Sequence, residues 1–158
     1  MSADERVLAR ITTALAAAKL EAIMVGNAAA ALHGAPITTQ DVDFFIRHTP
    51  RNLSKLKTFA SRFGGVLVQP YDPVSRMQRV MTTEVAVDFV FELSSHKKFE
   101  SVRSRATRVK IGNGAVWIAS LEDIVAAKEA AGRPKDKATL PILKDTLRTK
   151  QKMEKTTA

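Results

Sequence analysis

Two segments in which apolar and polar residues alternate constrain the fold more than any other feature of the sequence. The first, QDVDFFIR, spans residues 40–47. Successive side chains of a strand point to opposite faces of a sheet. One face of this segment is apolar and consists of Val42, Phe44 and Ile46. Asp41 and Asp43 share the other face, so we predict a strand that packs on a core and presents two carboxylates away from it.

The second segment, TEVAVDFVFEL at residues 83–93, predicts another strand of this kind. Its apolar face consists of Val85, Val87, Phe89 and Phe91. Asp88 lies on the opposite face between Ala86 and Val90, where an ionised carboxylate is costly unless something pairs with it.

Three aspartates that converge on one face of a sheet are candidate ligands for a divalent cation, because hard cations prefer oxygen ligands. Two such cations align and stabilise an in-line attack on phosphorus. The alternative is that Asp41, Asp43 and Asp88 are solvent-facing strand positions.

A glycine turn lies just before the first of these strands. Gly26 follows the apolar segment EAIMV and precedes a predicted alanine-rich helix over residues 27–33, for which Asn27 is a suitable N-cap. Glycine permits a ligand to approach the backbone closely, and the free N–H groups of a helix start attract anions. We interpret the turn as a phosphate-binding candidate, with an ordinary strand–helix turn as the alternative.

The remaining pattern mixes helices and strands in one domain. A hairpin is predicted around Gly112-Asn113-Gly114. The other predicted elements are helices over residues 4–19, 50–64, 97–103, 120–132 and 134–150, the last with a kink at Pro141, and strands over 21–25, 66–69 and 76–82, with a turn at Tyr71-Asp72-Pro73. This order predicts an α/β or α+β fold, in which helices pack on a mixed sheet of about five strands. We assign residues 1–150 to a single domain and residues 151–158 to a basic, flexible tail.

Composition narrows the class of protein. The chain has 158 residues and no cysteine, so disulfides and thiolate metal sites are excluded. No apolar run approaches the roughly 18 residues that a membrane span needs, so we predict a cytoplasmic protein without membrane contact. The net charge of +9 favours a polyanionic partner such as nucleic acid, although basic residues near the C-terminus account for it equally well.

Together these motifs resemble a minimal nucleotidyltransferase of the DNA polymerase β superfamily, most similar to the small members related to abortive-infection nucleotidyltransferase toxins. The resemblance covers roughly residues 20–140. It is carried by VGNAAAALHGAPITTQDVDFF at 25–45, VAVDFVFE at 85–92 and LEDIVAAKEAAGRPKD at 121–136. The turn of this family usually reads Gly-Gly or Gly-Ser, where this chain has Gly26-Asn27.

The resemblance implies a nucleotidyltransferase fold and a catalytic, metal-binding set formed by Asp41, Asp43 and Asp88. Asp41 and Asp43 would bind the Mg²⁺ that carries the triphosphate, with Mn²⁺ as an alternative cation. Asp88 would complete a second metal site and help to activate the acceptor hydroxyl.

The resemblance also implies nucleotide-binding residues. Gly26 and Asn27 would hold the β- and γ-phosphates, and Lys128 would lie near the phosphates or the acceptor, unless it belongs to a solvated helix face. Thr39 is either a cap of the loop before the strand or a phosphate contact.

The expected activity is Mg²⁺-dependent transfer of a nucleoside monophosphate from an NTP to a hydroxyl group, with release of pyrophosphate. The acceptor would be the 3′ end of an RNA, for instance a tRNA-like one, or a protein side chain. Because of the Gly-Asn turn, a non-catalytic nucleotide- or RNA-binding module is the alternative. A toxin–antitoxin component, with an antitoxin or another protein as partner, is compatible with either.

Overall fold

A mixed sheet of seven strands forms the centre of the computed structural model, which describes residues 2–69 and 77–157. The strands are, in chain order, β1 (Ile23–Val25), β2 (Asp41–Phe45), β3 (Val66–Val68), β4 (Gln78–Met81), β5 (Ala86–Val90), β6 (Thr107–Ile111) and β7 (Gly114–Ile118). Their order across the sheet is β3-β4-β5-β2-β1-β7-β6. The two strands predicted to carry aspartates, β2 and β5, are therefore neighbours at the centre of the sheet.

Six helices accompany the sheet in the described residues. They are α1 (Ala3–Ala18), α2 (Gly26–Leu32), α3 (Pro50–Phe63), α4 (Phe99–Arg105), α5 (Leu121–Ala131) and α6 (Pro134–Thr157). Local sequence explains their limits: the Thr49 hydroxyl accepts a hydrogen bond from the Asn52 N–H ahead of α3, and Ser120 does the same for Asp123 at the start of α5. Gly64 and Gly132 end α3 and α5 in the left-handed conformation.

Aromatic packing fixes which face of the sheet is the core. The rings of Phe44 on β2 and Phe89 on β5 stack 5.7 Å apart, and Phe59 of α3 meets Phe89 edge-on at 5.0 Å. All three side chains are fully buried. The apolar faces of both strands therefore lie under α3, and the aspartates point to the other side, as the alternation predicts.

The sheet has seven strands, and the prediction of about five was too low. The difference comes from the predicted hairpin, which forms β6 and β7 and joins the same sheet. Strand β7 pairs in parallel with β1, with Trp117 opposite Ile23. This pairing links residues that are distant in sequence, so no local pattern indicates it.

Helix α2 begins one residue earlier than predicted. Gly26 is its first residue and Val25 is its N-cap, so Asn27 lies inside the helix and is not the cap. The side chain of Asn27 therefore does not cap the helix.

At the other end of the chain, α6 continues through Pro141 to Thr157. The helix continues without a break past residue 150. The flexibility of residues 151–158 stays a prediction. The predicted turn at Tyr71-Asp72-Pro73 lies outside the described residues. Within the described part of the chain, no helix combines the length and apolar character of a membrane span.

Candidate active site

Strand pairing places Asp43 at the centre of the candidate site. On one side it is in register with Asp88 of the parallel strand β5, and on the other with Val25, the last residue of β1. Paired residues share a face of the sheet. Asp41, two residues before Asp43, lies on the same face and is exposed to solvent. The structure thus brings the three predicted carboxylates to one face, beside the turn that follows β1.

The turn touches the central carboxylate. Gly26 has a φ of +69°, and a Cβ atom at this position would lie 2.6 Å from Oδ2 of Asp43. That distance is far below van der Waals contact. Glycine is required here for space next to the carboxylate as well as for its backbone conformation.

An arginine that the sequence did not single out holds the third aspartate. Arg79 of β4 lies opposite Asp88, with its Nε 2.6 Å from Oδ1 and one terminal nitrogen 3.0 Å from Oδ2 of Asp88. These hydrogen bonds raise the pKa of Arg79 above its ordinary value. Sequence reasoning missed Arg79 because its role depends on the register of β4 against β5, which only the folded sheet defines.

The environment of Asp43 disfavours its charge. Its pKa is raised to about 6, first by burial, then by the neighbouring carboxylates of Asp88 and Asp41 and a hydrogen bond with Asp88, while Lys135 partly opposes the shift. A group in this position gains from a cation, because a positive charge would relieve both the desolvation and the repulsion between carboxylates.

A cavity of about 720 Å³ opens over the carboxylates. One wall is the sheet and the other is formed by α5 and the start of α6. All predicted site residues line it: Gly26, Asn27, Thr39, Asp41, Asp43, Asp88 and Lys128. Arg79, Arg133 and Lys135 also line it, so the cavity combines acidic and basic side chains. Such a mixture suits a ligand that carries both phosphates and a cation.

Thr39 braces the strand that carries the aspartates. Its hydroxyl donates to the backbone carbonyl of Asp41 at 2.9 Å and accepts from the backbone N–H of the same residue at 3.2 Å. This is the loop-capping alternative considered for Thr39. Its contact with a nucleotide stays a prediction.

Asn27 carries an unused polar atom at the cavity. Its Oδ1 is buried and has no hydrogen-bond partner in the described part of the chain. A buried acceptor without a partner costs free energy of about 1–3 kcal/mol, so it is satisfied when a ligand or water donates to it. Phosphate oxygens only accept hydrogen bonds, so the donor to Oδ1 would be water or a hydroxyl or amino group of a ligand.

A second buried carboxylate organises the opposite wall. Asp136 is fully buried and accepts from Arg133 Nε at 2.7 Å, while Lys128 Nζ lies 3.6 Å away. Burial alone would raise the pKa of Asp136, but the hydrogen bonds from Arg133 outweigh it and the pKa is lowered. Burial lowers the pKa of Lys128, although Asp136 and Asp43 both favour its charge. Asp136 therefore holds the end of α5 against the start of α6 and positions the ammonium group of Lys128, whose charge Asp43 also favours.

Replacing Asp136 with alanine is expected to destabilise the fold by about 3 kcal/mol, because it leaves Arg133 and Lys128 without their buried partner. Urea unfolding followed by circular dichroism measures this loss. The matched control is Asp145→Ala, since Asp145 pairs with Arg148 on the surface with both side chains largely exposed. The control is expected to change stability by less than about 0.5 kcal/mol. Equal losses in the two variants would contradict the assignment.

The carboxylates fit a divalent cation only in part. Asp41 and Asp43 offer oxygen ligands on one face of β2. Asp88 directs both oxygens at Arg79. Accordingly, no three aspartate, glutamate, histidine or cysteine side chains form a ready metal-binding group within residues 2–69 and 77–157.

Comparison with a protein family agrees with this geometry. Residues 4–157 match the model of the family described as "Nucleotidyl transferase of unknown function" (DUF2204). The chain belongs to this family. The nucleotidyltransferase resemblance is thereby confirmed and the protein is an enzyme of this kind, while the link to abortive-infection toxins stays a prediction. Nucleotidyltransferases generally use divalent metal ions. No curated protein matches the chain in sequence.

Solved structures show the same fold. The solution structure of the antibiotic-resistance factor ANT(2'')-Ia is 14% identical with a TM-score of 0.66, over 91% of this chain and 84% of that one. The crystal structure of ANT(2'')-Ia in complex with adenylyl-2''-tobramycin is 13% identical with a TM-score of 0.64. The match covers 95% of this chain and 92% of that one. The crystal structure of a putative nucleotidyltransferase from Thermotoga maritima, TM1012, is 19% identical with a TM-score of 0.62. The match covers 89% of this chain and 93% of that one. At these identities the likeness of this nucleotidyl transferase to its neighbours shows the fold alone.

Proposed function

We propose that this nucleotidyl transferase moves a nucleoside monophosphate from an NTP to a hydroxyl acceptor and releases pyrophosphate. The observation that carries the proposal is the contact between the Gly26 turn and Asp43, which lies next to Asp88 in register. A triphosphate seated at this turn meets the carboxylates without any rearrangement of the sheet.

The cation of this proposal is Mg²⁺, with Mn²⁺ as a substitute, and Asp41 and Asp43 hold it. When bound, the cation neutralises phosphate charge and orients the α-phosphate for in-line attack. The pKa of Asp43, raised by burial and by its carboxylate neighbours, is the property of this chain that supports cation binding there.

The remaining residues bind and orient. In this proposal the backbone N–H groups at the Gly26 turn and the side-chain NH2 group of Asn27 donate to oxygens of the β- and γ-phosphates. Lys128, which is mostly buried and faces the cavity, balances phosphate charge together with Lys135. Thr39 keeps Asp41 in place through its two hydrogen bonds to that residue's backbone.

The bond changes are those of a substitution at phosphorus. The acceptor oxygen forms a bond to the α-phosphorus, and the bond from that phosphorus to the bridging oxygen breaks. Pyrophosphate leaves with the electron pair. The proton of the acceptor hydroxyl passes to Asp88, directly or through water. Arg79 holds Asp88 in position for this role through its two hydrogen bonds.

The acceptor in this proposal is a hydroxyl of an RNA 3′ end, which the net charge of +9 favours, or of a protein side chain. ANT(2'')-Ia, whose structure was solved with adenylyl-2''-tobramycin, adds small hydroxyl compounds to the candidates worth testing. An assay that offers all three classes separates them.

The test uses each of the four NTPs labelled at the α-phosphate, with Mg²⁺ and total RNA, whole lysate or tobramycin as acceptor. The expected result is label on one acceptor class together with an equal amount of pyrophosphate. The result that would contradict the proposal is NTP binding with no pyrophosphate release from any combination.

One observation favours the alternative, a module that binds nucleotide or RNA without turnover. Asp88, the group expected to receive the proton, is held by two hydrogen bonds to Arg79. If the alternative holds, calorimetry detects NTP or RNA binding while pyrophosphate release stays at the level of the buffer. Sustained turnover that depends on Asp43 eliminates it.

A further inference from the structure

We infer that Arg79 acts as an internal cation that withholds Asp88 from metal binding, so that the site takes its divalent cation on Asp41 and Asp43. The inference rests on the proposed function only in taking Asp41 and Asp43 as cation ligands. It makes Arg79 a positioning residue and changes the role of Asp88 from a metal ligand to a hydrogen-bonded carboxylate.

The geometry of the pair carries the inference. Both nitrogens of the Arg79 fork meet both oxygens of Asp88, at 2.6 and 3.0 Å, which is the strongest arrangement for these groups. The Asp88 side chain is 6% exposed, against 30% for Arg79. A cation that bound Asp88 would have to displace the guanidinium or share the carboxylate oxygens with it against the repulsion of its charge.

The sheet itself holds the pair in place. Arg79 and Asp88 are directly opposite on the antiparallel strands β4 and β5, while Asp43 and Asp88 are in register on β2 and β5. The four side chains therefore follow one face in the order Asp41 and Asp43, then Asp88, then Arg79. Arg79 reaches Asp88 from the strand on the side away from β2, whereas Asp43 meets Asp88 from β2, and Asp41 and Asp43 both line the cavity.

Charge accounting points the same way. Three carboxylates on one sheet face repel each other, and one guanidinium neutralises one of them. Asp41 and Asp43 then remain as the carboxylates that share a cation, while the charges of Lys128 and Lys135 also act on Asp43. Removing Arg79 would leave three carboxylates for cations to share.

Titration with Mn²⁺ alone, followed by electron paramagnetic resonance of free Mn²⁺, tests the inference on the full chain. Arg79→Met is expected to bind Mn²⁺ at least about tenfold more tightly than the natural protein, because Asp88 becomes available and a positive charge is lost. The double variant Arg79→Met with Asp88→Asn removes a neutral pair, so its affinity is expected to stay within about threefold of the natural protein. Arg148→Met, which removes a surface arginine, controls for net charge.

The outcomes separate the possibilities. A loss of Mn²⁺ affinity of tenfold or more in the double variant would show that Asp88 is a ligand in the natural protein and would overturn the inference. Equal affinity of Arg79→Met and the natural protein would overturn it as well. Absence of Mn²⁺ binding in every variant would overturn both the inference and the cation site of the proposed function.

A second measurement needs no variant and covers the case in which Arg79→Met does not fold. Carboxyl ¹³C resonances of the natural protein are followed during a Mg²⁺ titration. The resonances of Asp41 and Asp43 are expected to shift together, while that of Asp88 stays within the change shown by the surface residue Asp145. A shift of Asp88 equal to that of Asp43 would contradict the inference.

Discussion

Replacing Asp43 with asparagine is expected to lower nucleotidyl transfer by about a thousandfold, since a lost metal ligand removes several kcal/mol of transition-state stabilisation. Asp43 lies against the Gly26 turn and is directly opposite Asp88 on the neighbouring strand β5. The labelled-NTP assay measures the loss. Asp145→Asn, on an exposed part of α6, is the control and keeps full activity.

The same substitution is expected to stabilise the protein in the absence of cations. Burial and the carboxylates of Asp88 and Asp41 raise the pKa of Asp43 to about 6, so the folded state holds its proton more tightly than the unfolded state does. Between pH 4 and 6 the folded state binds more protons, so stability falls as pH rises and the full cost is present above about pH 6. Asparagine removes that cost.

We expect Asp43→Asn to raise the free energy of unfolding by about 1–3 kcal/mol at pH 7.5, and to change it little at pH 4. Thermal unfolding at both pH values, in buffer with chelator, measures the difference. A gain of the same size at both pH values would show that the effect does not come from the charge of Asp43. Loss of activity with a gain in stability is the signature of a functional carboxylate rather than a structural one.

Gly26→Ala is the second substitution with a large expected effect. The added Cβ would lie 2.6 Å from Oδ2 of Asp43, so either the turn or the carboxylate must move. A displacement of this size at a reacting centre lowers activity by about a hundredfold. The φ of +69° adds backbone strain of about 1 kcal/mol.

Gly34→Ala is the matched control for this substitution. Gly34 also has a positive φ, +101°, but a Cβ there would meet nothing within 4 Å. It therefore reports the backbone cost alone. We expect Gly34→Ala to lose stability while activity per folded molecule stays near that of the natural protein. Equal losses of activity per folded molecule in both variants would contradict the role of the Gly26–Asp43 contact.

The sequence was most informative where a local period decides the outcome. Alternation in residues 40–47 and 83–93 predicts which side chains face the core, and Phe44 and Phe89 are fully buried on that side. The aspartates lie on the opposite face because neighbouring residues of a strand cannot share one. Residue pattern alone was therefore enough to place Asp43 and Asp88 on one side of the sheet.

Features that depend on pairing between distant strands were missed. The register of β4 against β5 brings Arg79 onto Asp88, and the pairing of β7 with β1 adds the hairpin to the sheet. In a sequence Arg79 is one of many basic residues. Its partner is defined only when the chain segments between the strands have folded.

The two helices at the cavity show the same limit on a smaller scale. Asparagine is a common N-cap residue, but the N-cap of α2 is Val25, so the cap was predicted two residues too late. Lys128 was expected near phosphates, and it does line the cavity, but its ammonium group pairs with the buried Asp136 at 3.6 Å. Propensity predicts where a helix forms more reliably than it predicts what a side chain contacts.

A crystal structure with a non-hydrolysable NTP analogue and Mg²⁺ tests the central claim most directly. We expect the β- and γ-phosphates against the backbone of Gly26 and the side chain of Asn27, and one Mg²⁺ bound by Asp41, Asp43 and the phosphates. We also expect Arg79 to remain on Asp88. A triphosphate bound elsewhere in the cavity, with no cation on Asp41 and Asp43, would contradict the account.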